Sequence, residues 1–280
     1  MTKTWDLFMF RDELDLLECR LTELDRAVYR HVIVEADTDH QGHPKPLYFA
    51  ENAERFAPWH DRLVHVVATG LPTPEEDRDA WSREHAQREA FSLGLKEADW
   101  DDIILQSDID EIPTAMHARN VRPQPGELAV GFSQKLYCFA VDWQHPDPWS
   151  GTVAMRARNI TSFAAMRDLR GFIEGMPEAG WHLSWLGDTK AQEGKHGAFC
   201  HPEIECPTCG DVHIGGPSGA AQRRDCGGDP SVPGIRSNFY QREGWHVDGT
   251  KLIPVDVDRS WPRYIYERRC PANWFRPRSD

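Results

Sequence analysis

Apolar and polar positions alternate in two different rhythms along the first third of the chain. Trp5–Phe10 is a strand-length apolar run. After it Leu14, Leu17, Leu21, Leu24 and Val28 recur at steps of three and four, which puts them on one face of a helix. His31–Glu35 and Arg62–Val67 are two further strand-like runs, and Trp81–Lys96 has helical spacing with many charges. Ile103–Gln106 is a short run of the fully buried type that leads straight into Ser107-Asp108-Ile109-Asp110-Glu111. Strands alternating with helices predict an α/β fold with a central, mostly parallel sheet, whose ligands lie beyond the carboxyl ends of the strands. Glu35 and the Asp108–Glu111 cluster stand at such ends.

Further along, Glu127–Ser133, Leu136–Trp143 and Thr152–Arg156 are β-like. Ile160–Asp168 reads as a short helix, Trp181–Trp185 as a strand and Thr189–Phe199 as a helix. Residues 202–236 lose periodicity and are rich in Gly, Pro and Cys, and the tail Trp261–Trp274 is aromatic and basic. A chain of 280 residues can bury a sizeable core. The expectation is one domain over residues 1–280 with a small Cys-rich insert over 200–232.

Composition narrows the function. Lys plus Arg number 32 against 45 Asp plus Glu, a net charge of −13, so a general nucleic-acid binder with a basic face is not expected. No apolar run approaches the ~20 residues of a membrane span. The opening Met1-Thr2-Lys3-Thr4-Trp5-Asp6 has neither an apolar stretch nor a small-residue cleavage site, and seven cysteines, an odd number, argue against a disulfide framework. A cytoplasmic protein is therefore expected. Eleven tryptophans suit core packing or sugar-stacking surfaces.

Between Glu97 and Glu111 stand seven acids and no Lys or Arg. Glu97–Asp102 read as a solvated helix end and loop. Asp108 and Asp110 differ because they follow a buried-type strand. At i and i+2 of extended backbone their side chains point the same way and repel unless a cation lies between them. Oxygen donors of this kind suit Mg2+ or Mn2+, which keep open positions for phosphate oxygens. The plain alternative is a strand-end turn with capping acids.

The stretch Asp102–Pro113 (DIILQSDIDEIP) resembles the Asp-x-Asp segment of glycosyltransferase family 17, which contains the β-1,4-mannosyl-glycoprotein 4-β-N-acetylglucosaminyltransferases. Glu13–Leu24 (ELDLLECRLTEL), Val32–Phe49 (VIVEADTDHQGHPKPLYF), Trp81–Arg88 (WSREHAQR), Ala179–Trp185 (AGWHLSW) and Phe199–Glu203 (FCHPE) resemble further segments of that family in the same order. The likeness is dense over residues 5–115, patchy over 130–203 and faded beyond 204. It implies an inverting transferase of GT-A type that uses UDP-GlcNAc and Mn2+ or Mg2+. The partners are then a nucleotide-sugar donor and a hydroxyl acceptor.

On that resemblance Asp110 ligates the metal, Asp108 holds the donor ribose or a metal-bound water, and Glu111 braces their loop. His201 is the first choice for a further metal ligand, because it lies in the matching Phe199–Glu203 segment, and His182 is the second. Glu35, Thr38, Lys45, Arg83, Arg88 and Ser107 are donor-binding candidates, with Lys45 stiffened between Pro44 and Pro46. An inverting transfer needs a base within ~3 Å of the acceptor hydroxyl, and Glu174, Glu178 and Glu203 are rivals for that place.

The Cys-rich stretch has no counterpart in the family. Cys206-x2-Cys209-x3-His213-x12-Cys226 offers four N and S donors with the spacing of a structural Zn2+ site, and Cys200 could replace a member. A metal would supply the folding energy that a segment with few apolar residues lacks. A redox pair and unpaired thiols are the alternatives. Two rival functions stay open. A haloacid-dehalogenase-type phosphatase also places Asp-x-Asp after a strand, although Ile112 stands where its motif has Thr or Val. A zinc-stapled carbohydrate-binding module would need no strand-end Asp-x-Asp. The acceptor stays open among a cell-surface glycan precursor, a small glycoside, a protein and modified DNA.

Overall fold

The computed structural model describes residues 2–187, 240–241, 244–247 and 250–275. Strands β1 (Thr4–Phe10), β2 (Arg30–Ala36), β3 (Leu63–Ala68) and β4 (Ile103–Gln106) form a parallel set in the spatial order β3-β2-β1-β4. After β4 come β5 (Glu111–Pro113), β6 (Ala129–Cys138), β7 (Trp143–Gln144), β8 (Trp149–Arg156), β9 (Gly175–Met176) and β10 (Gly180–Ser184). The sheet continues antiparallel from β4 to β8 and from β8 to β6. It then curls on as β10 joins β6 in parallel and pairs with β5 in antiparallel fashion. Strands β11 (Tyr240–Gln241), β12 (Gly244–Val247) and β13 (Thr250–Lys251) form a separate antiparallel sheet, and β14 (Ile253–Pro254) pairs with β7. The fold is mixed α/β with a large, mostly parallel sheet. No helix among the described residues is long and apolar enough to cross a membrane.

Strand alternation sorts the core onto two faces. Phe8, Phe10 and Ile33 pack on one side with Leu17 and Leu21 of helix α1 (Leu14–Leu24). Trp5, Leu7, Val32 and Val34 pack on the other. Helix α2 (Tyr48–Glu51) joins the first face through Phe49, whereas α3 (Ala80–Glu89) and α4 (Phe91–Gly94) follow later, with α4 lying on β2 and β3. Helix α5 (Ala115–Asn120) packs against α1, and α6 (Phe163–Asp168) covers β4 and β8. Asp79 caps α3 by accepting from the Trp81 N–H at 3.0 Å, and Ser162 caps α6 by accepting from Ala165 at 3.1 Å. The last helix, α7 (Arg263–Tyr266), returns to α1, where Tyr264 and Ile265 complete the first core face.

Two expectations from the sequence are corrected. The segment Glu127–Ser133 and the first residues of Leu136–Trp143 share one continuous strand, β6, which ends at Cys138 and whose pairing with β8 shifts register between Gly131 and Ser133, while Trp143 opens β7. The helix over Trp81–Lys96 is broken at Ala90 into α3 and α4. The break lets α4 press onto the sheet so closely that a Cβ on Gly94 would come within 2.4 Å of Val32 Cγ1. Gly94→Ala is expected to cost about 1–3 kcal/mol through overpacking. Urea unfolding checks this, and an unchanged midpoint would show that the helix can lift without cost.

Candidate active site

Asp6 lies on the α1 face of β1, because alternation places it with Phe8 and Phe10. Arg20 lies on the inward face of α1, three residues after Leu17 and four before Leu24. Both are fully buried. Arg20 Nε donates to Asp6 Oδ2 at 3.0 Å and Nη2 to Asp6 Oδ1 at 2.6 Å, a two-pronged pair. His31 sits across from Asp6 in the β1–β2 register, with Nδ1 2.8 Å from Asp6 Oδ2. Burial alone would push the Asp6 carboxyl up, but the Arg20 charge and the hydrogen bonds from His31 and Arg20 hold it at about 2.

The other donors of Arg20 reach the acidic loop. Nη2 donates to Ser107 Oγ at 2.7 Å, and Nη1 donates to the carbonyls of Asp108 at 3.0 Å, Ile109 at 3.3 Å and Glu111 at 2.9 Å. The loop is a turn closed by the Glu111 N–H donating to the Asp108 carbonyl at 3.0 Å. The extended backbone expected for Asp108 and Asp110 is therefore absent, and the two carboxylates have different partners. Oδ2 of Asp108 accepts from Arg167 at 2.6 Å and Oδ1 from Arg88 at 3.4 Å, while Arg88 also pairs with Glu84 one helical turn away. Burial opposes the charged form of Asp108, yet Arg167, Arg88 and Arg170 hold its carboxyl far below the usual carboxylate range. Asp110 is nearly buried, with Oδ1 3.6 Å from His182 Nε2.

Glu111 is the hub of this loop. Its fully buried carboxylate accepts from the Asp108 backbone N–H at 2.9 Å, Trp149 Nε1 at 2.6 Å, Arg167 at 2.6 Å and Arg170 at 3.1 Å. The Arg170 guanidinium lies over the Trp149 ring at 5.1 Å, and that ring tilts against His182 at 4.6 Å. Arg20, Asp6, His31, Trp149, Arg167 and Arg170 were not singled out from the sequence. A carboxylate inside an apolar strand and an arginine on the leucine face of a helix were available signals, since buried charges are paired. The register of α6 against the loop was not.

A second group gathers at the end of β2. The fully buried Glu35 accepts from the Phe49 N–H at 3.1 Å and lies 3.6 Å from Lys45 Nζ and 3.1 Å from His65 Nε2. Burial lowers the Lys45 amine below its ordinary value even though Glu35 favours its charge. Thr38 pairs with Pro44 as an isolated bridge that closes the same loop. Arg83 donates to the carbonyls of His40 at 2.6 Å and Asp77 at 2.7 Å and so ties two loops together. Strand β1 separates β2 from β4, which puts their ends about 10 Å apart. Arg88 on α3 reaches from this side to Asp108.

Glu174 is exposed, with no hydrogen bond or ion pair among the described residues. Glu178 pairs with Lys135 at 3.3 Å. His201, Glu203, Cys200, Cys206, Cys209, His213 and Cys226 lie outside the described residues. Among the described residues no three His, Cys, Asp or Glu side chains are grouped to hold a metal. Asp110 and His182 do supply a carboxylate and an imidazole side by side, a donor pair suited to Mn2+. His182 Nδ1 is buried without a partner among the described residues.

Parallel strands with carboxylates at and beyond their carboxyl ends, met there by a loop lysine and by arginines from the flanking helices, are the arrangement of an α/β ligand-binding enzyme. The profile of Glycosyltransferase family 17 matches residues 1–203, which span both groups described above, and the chain belongs to that family. It is a glycosyltransferase. No curated protein matches the chain.

Proposed function

We propose that this chain is an inverting, GT-A-type enzyme that transfers GlcNAc from UDP-GlcNAc to an acceptor hydroxyl with the aid of a divalent cation. The observation that carries this reading is the Ser107–Glu111 turn, a strand-end Asp-x-Asp-Glu anchored by Arg20 and ringed by Arg88, Arg167 and Arg170.

In the transfer, the acceptor oxygen bonds to the anomeric carbon as the bond from that carbon to the diphosphate breaks. UDP leaves with the electron pair, and the acceptor proton passes to a carboxylate. Asp110 and His182 would hold Mn2+ or Mg2+, which supplies charge neutralisation at the diphosphate. Arg167 and Arg170 add fixed positive charge where the leaving group becomes more negative, and their partners Glu111 and Asp108 keep them in place before the donor arrives. Lys45, held by Glu35, faces the nucleotide. Glu174 is assigned as the base over Glu178, since its carboxylate is unengaged among the described residues while that of Glu178 is paired with Lys135, and Glu203 lies outside those residues.

The test is a screen of UDP-sugars by mass spectrometry, with Mn2+ or with EDTA. The expected result is UDP release from UDP-GlcNAc, with metal, and a β-linked product. Phosphate release from small phosphoesters, with UDP-sugars left intact, would overturn the proposal.

A further inference from the structure

A histidine that ligates a metal through one ring nitrogen is normally kept in place by a hydrogen bond from the other, to a carboxylate, a carbonyl or a water. His182 has Nε2 at 3.6 Å from Asp110 Oδ1, and its buried Nδ1 has no hydrogen-bond partner among the described residues. The last side-chain torsion of a histidine is broad and roughly two-fold, so the strand alone does not fix which edge of the ring faces Asp110. What meets the imidazole is the Trp149 ring, with the two centroids 4.6 Å apart and the planes inclined at 45°.

Trp149 is itself fixed. Its Nε1–H donates to the fully buried Glu111 carboxylate at 2.6 Å. The Arg170 guanidinium, which donates to the same carboxylate at 3.1 Å, lies 5.1 Å from the centre of the ring. Gly151, two residues on and on the same side of β8, leaves the ring its place, since a Cβ there would stand 3.3 Å from Trp149 Cδ1. In the β5–β10 register His182 stands opposite Glu111, so one indole joins the two side chains, its N–H on the carboxylate and its ring against the imidazole. Glu111 also accepts from the Asp108 N–H at 2.9 Å, which ties the indole to the turn that carries Asp110.

We propose that Trp149 is a positioning residue: its indole, tied to the acidic turn through Glu111, holds the His182 imidazole with Nε2 beside Asp110, in register to share a divalent cation. It acts through His182, and it rests on the assignment of the cation to Asp110 and His182 made above. An imidazole nitrogen suits Mn2+ better than Mg2+, whereas carboxylate oxygens suit both. Loss of the alignment should therefore cost Mn2+ more than Mg2+, while a general loosening of the turn would cost both alike.

The test follows Mn2+ binding to the whole protein by electron paramagnetic resonance, alone and in competition with Mg2+, without donor or acceptor. In the native chain pulsed spectra of the bound Mn2+ should show coupling to an imidazole nitrogen, and His182→Ala should abolish it and lower the Mn2+ affinity. Trp149→Met keeps much of the bulk but has no ring. It should lower the Mn2+ affinity about 10-fold, leave the Mg2+ affinity within about 2-fold and weaken the nitrogen coupling. Trp149→Phe keeps a ring without the N–H. It should retain the nitrogen coupling and stay within about 3-fold of the native Mn2+ affinity, and it provides the check if Trp149→Met folds poorly. Native Mn2+ affinity and nitrogen coupling in Trp149→Met would overturn the proposal and leave the cation assignment standing. So would Mn2+ and Mg2+ affinities that fall together, or a loss in Trp149→Phe as large as in His182→Ala. If His182→Ala binds Mn2+ as the native chain does, the cation assignment itself fails and the proposal falls with it.

Discussion

Arg20→Met is expected to lose about 3–5 kcal/mol of stability at neutral pH, because it leaves the Asp6 carboxylate buried without its cation. The same substitution removes the donors that hold Ser107 and three carbonyls of the acidic turn. Transfer should therefore collapse even in the fraction that stays folded. The pH dependence has a definite sign. In the native chain the folded Asp6 carboxyl at about 2 lies below its ordinary 3.8. Its contribution, up to about 2 kcal/mol, is complete above the ordinary value and is lost as pH falls from there through 2. In Arg20→Met burial dominates and raises the carboxyl, so the deficit against the native chain should be largest at pH 7 and narrow toward pH 4. Urea titrations at the two pH values measure this. A deficit under about 1 kcal/mol at pH 7 would remove Arg20 from the role given to it.

Asp110→Asn should leave the fold intact and cut transfer by about 1,000-fold, equivalent to ~4 kcal/mol of transition-state stabilisation. The substitution keeps the shape of the side chain and the backbone contact in which the Asp110 carbonyl accepts from Leu183. It removes the negative charge beside His182. Affinity for UDP in the presence of Mn2+ should drop to that of the unsubstituted protein in EDTA, and adding Mn2+ should no longer change it. Asp108→Asn should behave differently. Its carboxylate already neutralises Arg167 and Arg88, so its loss should loosen those arginines and weaken UDP binding with or without metal. Calorimetry of UDP binding separates the two outcomes. Equal metal dependence in Asp110→Asn and the native chain would move the cation to other ligands.

Much of the first half was legible along the chain. The runs at Trp5–Phe10, His31–Glu35, Arg62–Val67 and Ile103–Gln106 are β1 to β4 to within two residues, and the leucine steps from Leu14 to Leu24 are α1. Boundaries failed where contact with a distant element decides them. Ala90 ends a helix because Gly94 must meet Val32 and Val66, and β6 runs on through its bulge because β8 lies beside it. The Asp-x-Asp-Glu turn was visible as a motif, but its conformation was not. The pattern of apolar residues suggested extended backbone there, whereas Arg20 draws three carbonyls inward and closes a turn.

The sequence by itself determined the α/β character, the parallel strands and the family. These depend on spacings of two, three and four residues and on short ordered motifs, which local geometry converts into elements wherever they occur. Only the tertiary structure decided which charges meet. Arg20 finds Asp6 across 14 residues and the turn across about 90, and Arg167 finds Asp108 across 59. Such pairs follow from strand order, from helix register and from the cost of leaving any of them unpaired, and no local spacing records those.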